Sequence, residues 1–291
     1  MSIKVAFIGL GVMGYPMAGH LAATGLSISV WNRTAEKVRQ WQSDYPGTAC
    51  QSISQAVQEA EFVFTCVGAD QDLLQVYEGP DGIIANAPQD AILIDHTTAS
   101  AGIAAHLGAL AEQKQMGFID APVSGGQQGA ENGQLTIMCG ADPEIFTRAQ
   151  PLMQRYAKAL NLMGPVGSGQ KTKMVNQIAI AGLIQGLSEA LHFAEQAELD
   201  VEKVVEVISK GAAQSWQMDN RSGTMVASEF RHGFAVDWMR KDLAICLEEA
   251  RQNGARLPVA ALVDQFYGDV QQMGGNRWDT SSLIERLRDR E

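Results

Sequence analysis

A lysine followed three and four residues later by amides, Lys173, Asn176 and Gln177 in GQKTKMVNQ, is the arrangement in this chain best suited to moving a proton. On a helix, at roughly 100° per residue, Asn176 and Gln177 fall within about 60° of Lys173, so an ammonium and two amides can reach one point. Lys171 points about 200° away and is read as solvated. A cation in the first turn of a helix works against the macrodipole, so Lys173 needs a compensating role, such as meeting an anionic ligand or titrating near neutral pH. Taken alone, a lysine beside an apolar helical stripe is an ordinary surface residue.

The second chemistry-bearing stretch is Gly9-Leu10-Gly11-Val12-Met13-Gly14, which follows the continuous apolar run KVAFI. Such a run reads as a buried parallel strand, and the helix behind the turn offers unpaired N–H groups to phosphate. The three glycines serve a tight turn, close approach to a pyrophosphate and close packing of helix on strand. A second strand, Ile28–Trp31, ends in Asn32-Arg33-Thr34, where an NAD site usually carries an acid for the ribose hydroxyls. Arg33 can pair with a 2′-phosphate, and Asn32 and Thr34 can donate to it, so NADP is predicted as cofactor, with NAD still open. Thr34 equally suits the N-cap of a helix beginning at Ala35.

These groups need a scaffold, and the pattern supplies one. Strands are expected at Phe62–Val67, Ala91–Asp95 and Gly117–Asp120, separated by helices such as Ser100–Gln115, which is the alternation of a doubly wound sheet. Ligands then sit beyond the carboxyl ends of the strands, in loops Cys66–Ala69, Asp95–Thr98 and Asp120–Gly126. In the last of these, Ser124-Gly125-Gly126 can form a backbone nest for a carboxylate, or a plain turn. Strands Gln134–Cys139 and Leu160–Met163 flank a helix Pro143–Tyr156, and Gly164-Pro165 closes the first domain.

A helix of about 28 residues, near 40 Å long, then carries Lys173 and an apolar stripe of Met174, Ile178, Ala181, Ile184, Leu187 and Leu191. Only helices follow: Val201–Lys210, a segment near Ala213–Ser228, Trp238–Asn253, Val259–Met273 and a tail from Thr280. The fold class expected is α/β: an N-terminal doubly wound Rossmann-type sheet over residues 1–165 and an all-α second domain over 166–291, joined by the long interdomain helix.

Composition narrows the function classes. A net charge of −11 over 291 residues disfavours nucleic acid as a partner. Cys50, Cys66, Cys139 and Cys246 form no close pair, and the histidines show no metal-ligand spacing, so reduced cysteines, a cytoplasmic location and no metal are expected. Neither a secretion signal nor a run of membrane-spanning length is evident.

In one order along the chain stand Gly9-Leu10-Gly11-Val12-Met13-Gly14-Tyr15-Pro16-Met17, Asp120-Ala121-Pro122-Val123-Ser124-Gly125-Gly126, Gly167-Ser168-Gly169 leading to Lys173 and Asn176, and Lys241-Asp242-Leu243. Together they resemble the β-hydroxyacid dehydrogenase family, which includes 3-hydroxyisobutyrate dehydrogenases and tartronate, glyoxylate and succinic semialdehyde reductases. The resemblance implies hydride exchange between a nicotinamide and a short carboxylic acid, with Lys173 as general acid and base and Asn176 orienting substrate or lysine. It implies Ser124, Gly125, Gly126, Gln177 and Phe234 around the substrate, with Ser215 and Trp216 as further pocket candidates. Val67 and Thr97 would lie at the cofactor, and Lys241 would close over it from the second domain.

It also implies a homodimer or homotetramer, for which Trp216, Trp238, Phe266, Tyr267 and Trp278 could supply interface. Two departures stand out: Asn176-Gln177 where many relatives have Asn-Asn, and Cys66-Val67-Gly68-Ala69-Asp70 without the common Leu-Pro. The competing readings are oxidative decarboxylation, as in 6-phosphogluconate dehydrogenase, and a nucleotide-binding sensor or scaffold without turnover.

Overall fold

Apolar runs with neighbours on both faces build the first half of the chain. The computed structural model describes residues 3–288. Strand β1 (Lys4–Ile8) leads through α1 (Gly14–Ala22) to β2 (Ser27–Trp31), and α2 (Ala35–Asp44) leads to the short β3 (Thr48–Ala49). Then come α3 (Ile53–Val57), β4 (Phe62–Thr65), α4 (Asp70–Tyr77), α5 (Ile83–Asn86), β5 (Ile92–Asp95), α6 (Ala101–Gln113) and β6 (Gly117–Asp120). The unit is completed by β7 (Val123–Ser124), α7 (Gly126–Glu131), β8 (Leu135–Gly140), α8 (Pro143–Met153) and β9 (Ala157–Gly164).

Among the described residues these strands form one sheet in the order β3-β2-β1-β4-β5-β6-β8-β7, with β9 on the far side of β8. From β3 to β6 every pairing is parallel, and β8 turns antiparallel to β6 and β7. The period of two along each central strand sorts side chains into separate cores. Val5, Phe7, Phe64, Ile92, Ile94 and Ile119 enter one, while Ala6, Ile8, Val63, Leu93 and Phe118 enter the other. Helices cover both faces, so strands such as Phe62–Thr65 and Ile92–Asp95 are buried at every position.

The division into two compact units falls at Lys173–Met174, inside the helix α9 (Ser168–Gln196). With 29 residues, α9 is the longest helix in the described chain. Its stripe is buried at Met174, Ala181, Ile184, Leu187 and Leu191 and half-buried at Ile178. The second unit continues with α10 (Val201–Ile208), α11 (Trp216–Val226), α12 (Val236–Asn253), α13 (Pro258–Gln272) and a 3₁₀ segment Thr280–Arg286.

Ala181 and Ile184 pack with Met239, Leu243, Val263 and Tyr267, and Leu187 and Leu191 with Met218, Met225 and Phe230. Of the aromatics considered for an interface, Tyr267 is fully buried and Phe266 and Trp278 line these cores, whereas Trp216 and Trp238 are exposed. No described helix is long and apolar enough to cross a membrane.

Candidate active site

The glycine turn after β1 fits a pyrophosphate by the test of what a side chain there would meet. A Cβ on Gly9 would stand 2.2 Å from the Cys66 carbonyl oxygen, and one on Gly14 would stand 2.0 Å from the Gly9 oxygen. Gly9 also has φ +100, a left-handed backbone that only glycine adopts at ease. At Gly11 nothing lies within 4 Å, which leaves open space for a ligand's close approach. Met13 caps α1 without a side-chain bond, so the helix start is presented to an anion. Val12 is exposed, whereas the Leu10 side chain is buried in the core.

Asn32 faces this turn and holds it: its Oδ1 accepts from Leu10 N at 2.9 Å, and its Nδ2 donates to Thr34 O at 3.2 Å. Arg33 extends into solvent with its side chain 80% exposed, paired with Asp72 at 3.2 Å. Thr34 stands at the N-cap of α2, yet its hydroxyl makes no capping bond.

Beyond the carboxyl ends of β4, β5 and β6, three loops are tied together. The Thr97 N–H donates to the Asp95 carboxylate at 3.0 Å, and its hydroxyl accepts from Val67 N at 3.0 Å. Gln170, fully buried, donates from Nε2 to Thr97 O at 2.7 Å and accepts on Oε1 from Ala99 N at 3.0 Å. Asp120 accepts from Gly167 N at 2.6 Å and Gln170 N at 2.8 Å, and so caps the start of α9 from a distant strand end.

Burial pushes the Asp120 carboxyl up to about 7 against the lowering effect of these N–H donors. Gly140 and Gly169 leave room for it: a Cβ on Gly140 would lie 2.3 Å from Asp120 Oδ1, and one on Gly169 would lie 2.4 Å from Met138 O. Lys173 follows Gln170 by one turn of this pinned helix and is only 7% exposed. Lys171 is exposed, as expected.

His96, in the same loop, is structural. Its Nδ1 lies 2.6 Å from Ala121 O, a pure acceptor, so Nδ1 carries the proton and Nε2 accepts from the Tyr156 hydroxyl at 2.8 Å. Burial lowers its pKa to about 4. The unfolded chain therefore takes up a proton near pH 6.5 that the folded chain refuses, and stability falls as pH drops through that window. His96→Asn, which does not titrate, is expected to be less stable at pH 7, with the gap to wild type narrowing by about 2 kcal/mol at pH 5, read from urea midpoints. A constant gap would mean that the imidazole is protonated in the fold.

The loop Asp120–Gly126 contains the short strand β7, which pairs Ser124 with Thr136. Gly125 and Gly126 both have positive φ, +130 and +62, and a Cβ on Gly126 would meet nothing within 4 Å. Ser124 thus stands beside an open, glycine-lined turn.

In the second unit, Asn176 Nδ2 donates to Gln177 Oε1 at 2.8 Å, and Gln177 Nε2 donates to Asp242 Oδ2 at 2.6 Å. Gln177 and Asp242 are both 2% exposed. Lys241 Nζ lies 3.2 Å from Asp242 Oδ1 and 5.6 Å from the Trp238 ring centroid. The Phe234 backbone N–H donates to Asp279 Oδ2 at 2.8 Å, and its ring packs against the α12–α13 core. Ser215 caps α11 by accepting from Met218 N, and Trp216 next to it is exposed.

Sequence reasoning missed Gln170 and the capping task of Asp120, because both act on residues far away along the chain. The one local signal was Gly167-Ser168-Gly169, whose glycines open the helix start to a distant carboxylate.

A glycine turn open to phosphate, with loops gathered at the carboxyl ends of a doubly wound sheet, defines a nucleotide-binding fold of the Rossmann class. Residues 4–164 match the NAD binding domain of 6-phosphogluconate dehydrogenase, and residues 167–287 match a family described as NAD-binding of NADP-dependent 3-hydroxyisobutyrate dehydrogenase. The chain belongs to the β-hydroxyacid dehydrogenase family and is an NAD(P)-dependent hydroxyacid dehydrogenase.

It is 59% identical over 284 residues to an uncharacterized oxidoreductase of Shewanella frigidimarina, covering 98% of each chain. It is 38% identical to a probable mitochondrial 3-hydroxyisobutyrate dehydrogenase-like protein of Arabidopsis thaliana, covering 98% of this chain and 85% of that one. Among solved structures, the 3-hydroxyisobutyrate dehydrogenase of Mycobacterium tuberculosis with L-serine superposes with TM-score 0.89 at 27% identity, covering 99% of this chain and 100% of that one.

Proposed function

We propose that the protein exchanges a hydride between NADP(H) and a short β-hydroxyacid or its semialdehyde, of the 3-hydroxyisobutyrate, glyoxylate or succinic semialdehyde type, with Lys173 as general acid and base. The observation that carries this reading is the burial of Lys173 one turn beyond Gln170, on a helix start bolted to the loops at the strand ends. When bound, the nicotinamide supplies or accepts the hydride at its C4. Lys173 gives its proton to the substrate oxygen during reduction and takes it back during oxidation. Ser124 and the open glycines 125 and 126 hold the carboxylate, Asn176 orients the hydroxyl, and Gln177 and Phe234 bound the substrate. Val67, Thr97 and Lys241 are assigned to the cofactor side. L-serine, named with the mycobacterial relative, is itself a β-hydroxyacid, which supports this substrate class.

Preference for NADP rests on Arg33. Its ion pair with Asp72 is exposed and so contributes at most about 1 kcal/mol, little to set against a phosphate dianion. Arg33→Ala is expected to weaken NADPH binding by about 10-fold or more and to leave NADH within about twofold, read by fluorescence titration. Equal loss for both cofactors would return the site to NAD. The assay for the whole reading is oxidation of NADPH and NADH with glyoxylate and with succinic, methylmalonate and tartronate semialdehydes. Cofactor binding without turnover on any of them would overturn this substrate assignment.

A further inference from the structure

Among the described residues, the Asp242 carboxylate is hydrogen-bonded by the Gln177 amide. Its Oδ1 is buried and accepts no hydrogen bond among the described residues, although Lys241 Nζ stands 3.2 Å away, while its Oδ2 lies 2.6 Å from Gln177 Nε2. The two ends of an amide are almost the same size, so packing alone does not choose which end faces where. A carboxylate chooses, because it only accepts. A flipped Gln177 would set two acceptor oxygens against each other at 2.6 Å, with both residues 2% exposed and little water to screen them.

With Nε2 committed to Asp242, Gln177 Oε1 is the atom that meets Asn176, and it accepts from Asn176 Nδ2 at 2.8 Å. The Asn176 carbonyl Oδ1 is thereby turned away from Gln177. An oxygen so presented welcomes an ammonium or a hydroxyl proton and repels a carboxylate. We propose that Asp242 is a positioning residue: through Gln177 it fixes the sense of the Asn176 amide, so that Asn176 receives the hydroxyl end of a substrate and rejects its acid end. This rests on the assignment of Asn176 to the substrate above, and it gives the Asn-to-Gln departure at position 177 a purpose, since the longer side chain spans the gap to Asp242.

The test is a charge exchange in the full-length enzyme, read as kcat/KM for the best semialdehyde, NADPH dissociation constant and melting temperature. Asp242→Asn can present either end of its amide, so the sense is lost, and kcat/KM is expected to fall by about 10- to 100-fold with NADPH binding within about twofold. Gln177→Glu alone opposes two carboxylates and is expected to lose at least about 100-fold. When Gln177→Glu is combined with Asp242→Asn, the carboxylate now on α9 accepts from the amide now on α12 and from Asn176, which restores the sense. That pair is expected to recover at least about 10-fold over either single variant.

A folded double variant no better than the worse single one overturns the proposal. If the double variant does not fold, Gln177→Met serves instead: Asp242→Asn should then add less than about threefold, and full additivity overturns the proposal. Lys173→Ala keeps the two readings apart: retained turnover sinks the lysine's role, while rescue or its failure judges Asp242 alone.

Discussion

Lys173→Ala is expected to lose turnover by at least about 10²-fold, the lower end for removal of a general acid, while NADPH binding stays within about twofold. The expectation rests on the role proposed for Lys173 and on its burial. Lys173 is only 7% exposed, and the backbone that carries it is fixed by Gln170 and Asp120 to the loops after β5 and β6. In the proposed reaction the alkoxide left by hydride arrival is neutralised in the same step by Lys173, and alanine offers nothing in place of the ammonium. The glycine turn and Asn32-Arg33-Thr34 lie on separate loops, so the dinucleotide should still bind. Lys173→Arg is the sharper variant: it keeps the charge yet cannot release a proton in the working pH range, and it should be nearly as inactive as alanine. Turnover near wild type in either variant, measured at saturating NADPH, would remove the lysine from the chemistry.

What the sequence made visible, and what it hid, divides along a physical line. Strands β1, β4, β5 and β6 are legible because each is buried on both faces over a short apolar run, with polar residues only at the strand ends. The stripe on α9 is legible because it repeats at helical spacing and is buried in nearly every place. The two-residue strands β3 and β7 escape notice, since their pairing is dictated by Ser29 and Val30 on one side and by Thr136 and Ile137 on the other. The strand expected at Phe62–Val67 stops at Thr65, because Val67 leaves the sheet to donate to the Thr97 hydroxyl. That expected at Leu160–Met163 grows to Ala157–Gly164, because β8 offers it a longer parallel register.

In the site, residue types were readable but their partners were not. Asn32 reads as a cofactor donor, but the bond by which its carbonyl oxygen accepts from Leu10 N, 22 positions away, is not legible. Gln177 reads as a pocket amide, but its bond to Asp242, 65 positions away, is not legible. Local rules of capping and spacing reach three or four residues and cannot see either bond.

Asp120→Ala is expected to destabilise the first unit by about 3–5 kcal/mol, the largest stability effect foreseen for a single polar residue here. The carboxylate takes the N–H groups of Gly167 and Gln170 at 2.6 and 2.8 Å in a buried setting, and alanine leaves these donors without an acceptor. A side chain at 167 or 169 cannot replace it, because Gly167 has φ +93 and a Cβ on Gly169 would collide with the Met138 carbonyl at 2.4 Å. Asp120→Asn retains one acceptor oxygen but turns an NH₂ toward a donor, so about 1–3 kcal/mol is expected.

Stability and activity then part in a telling way. If the helix start is held by Asp120 and Gln170 together, Asp120→Asn should lower kcat by about 10-fold or more at temperatures where it is fully folded, because Lys173 sits one turn beyond the released end. Gln170→Ala should do the same by freeing Thr97 O and Ala99 N. Urea unfolding and steady-state kinetics on both variants decide it: normal kcat in a folded Asp120→Asn would mean that Lys173 is placed by its own packing and not by the cap.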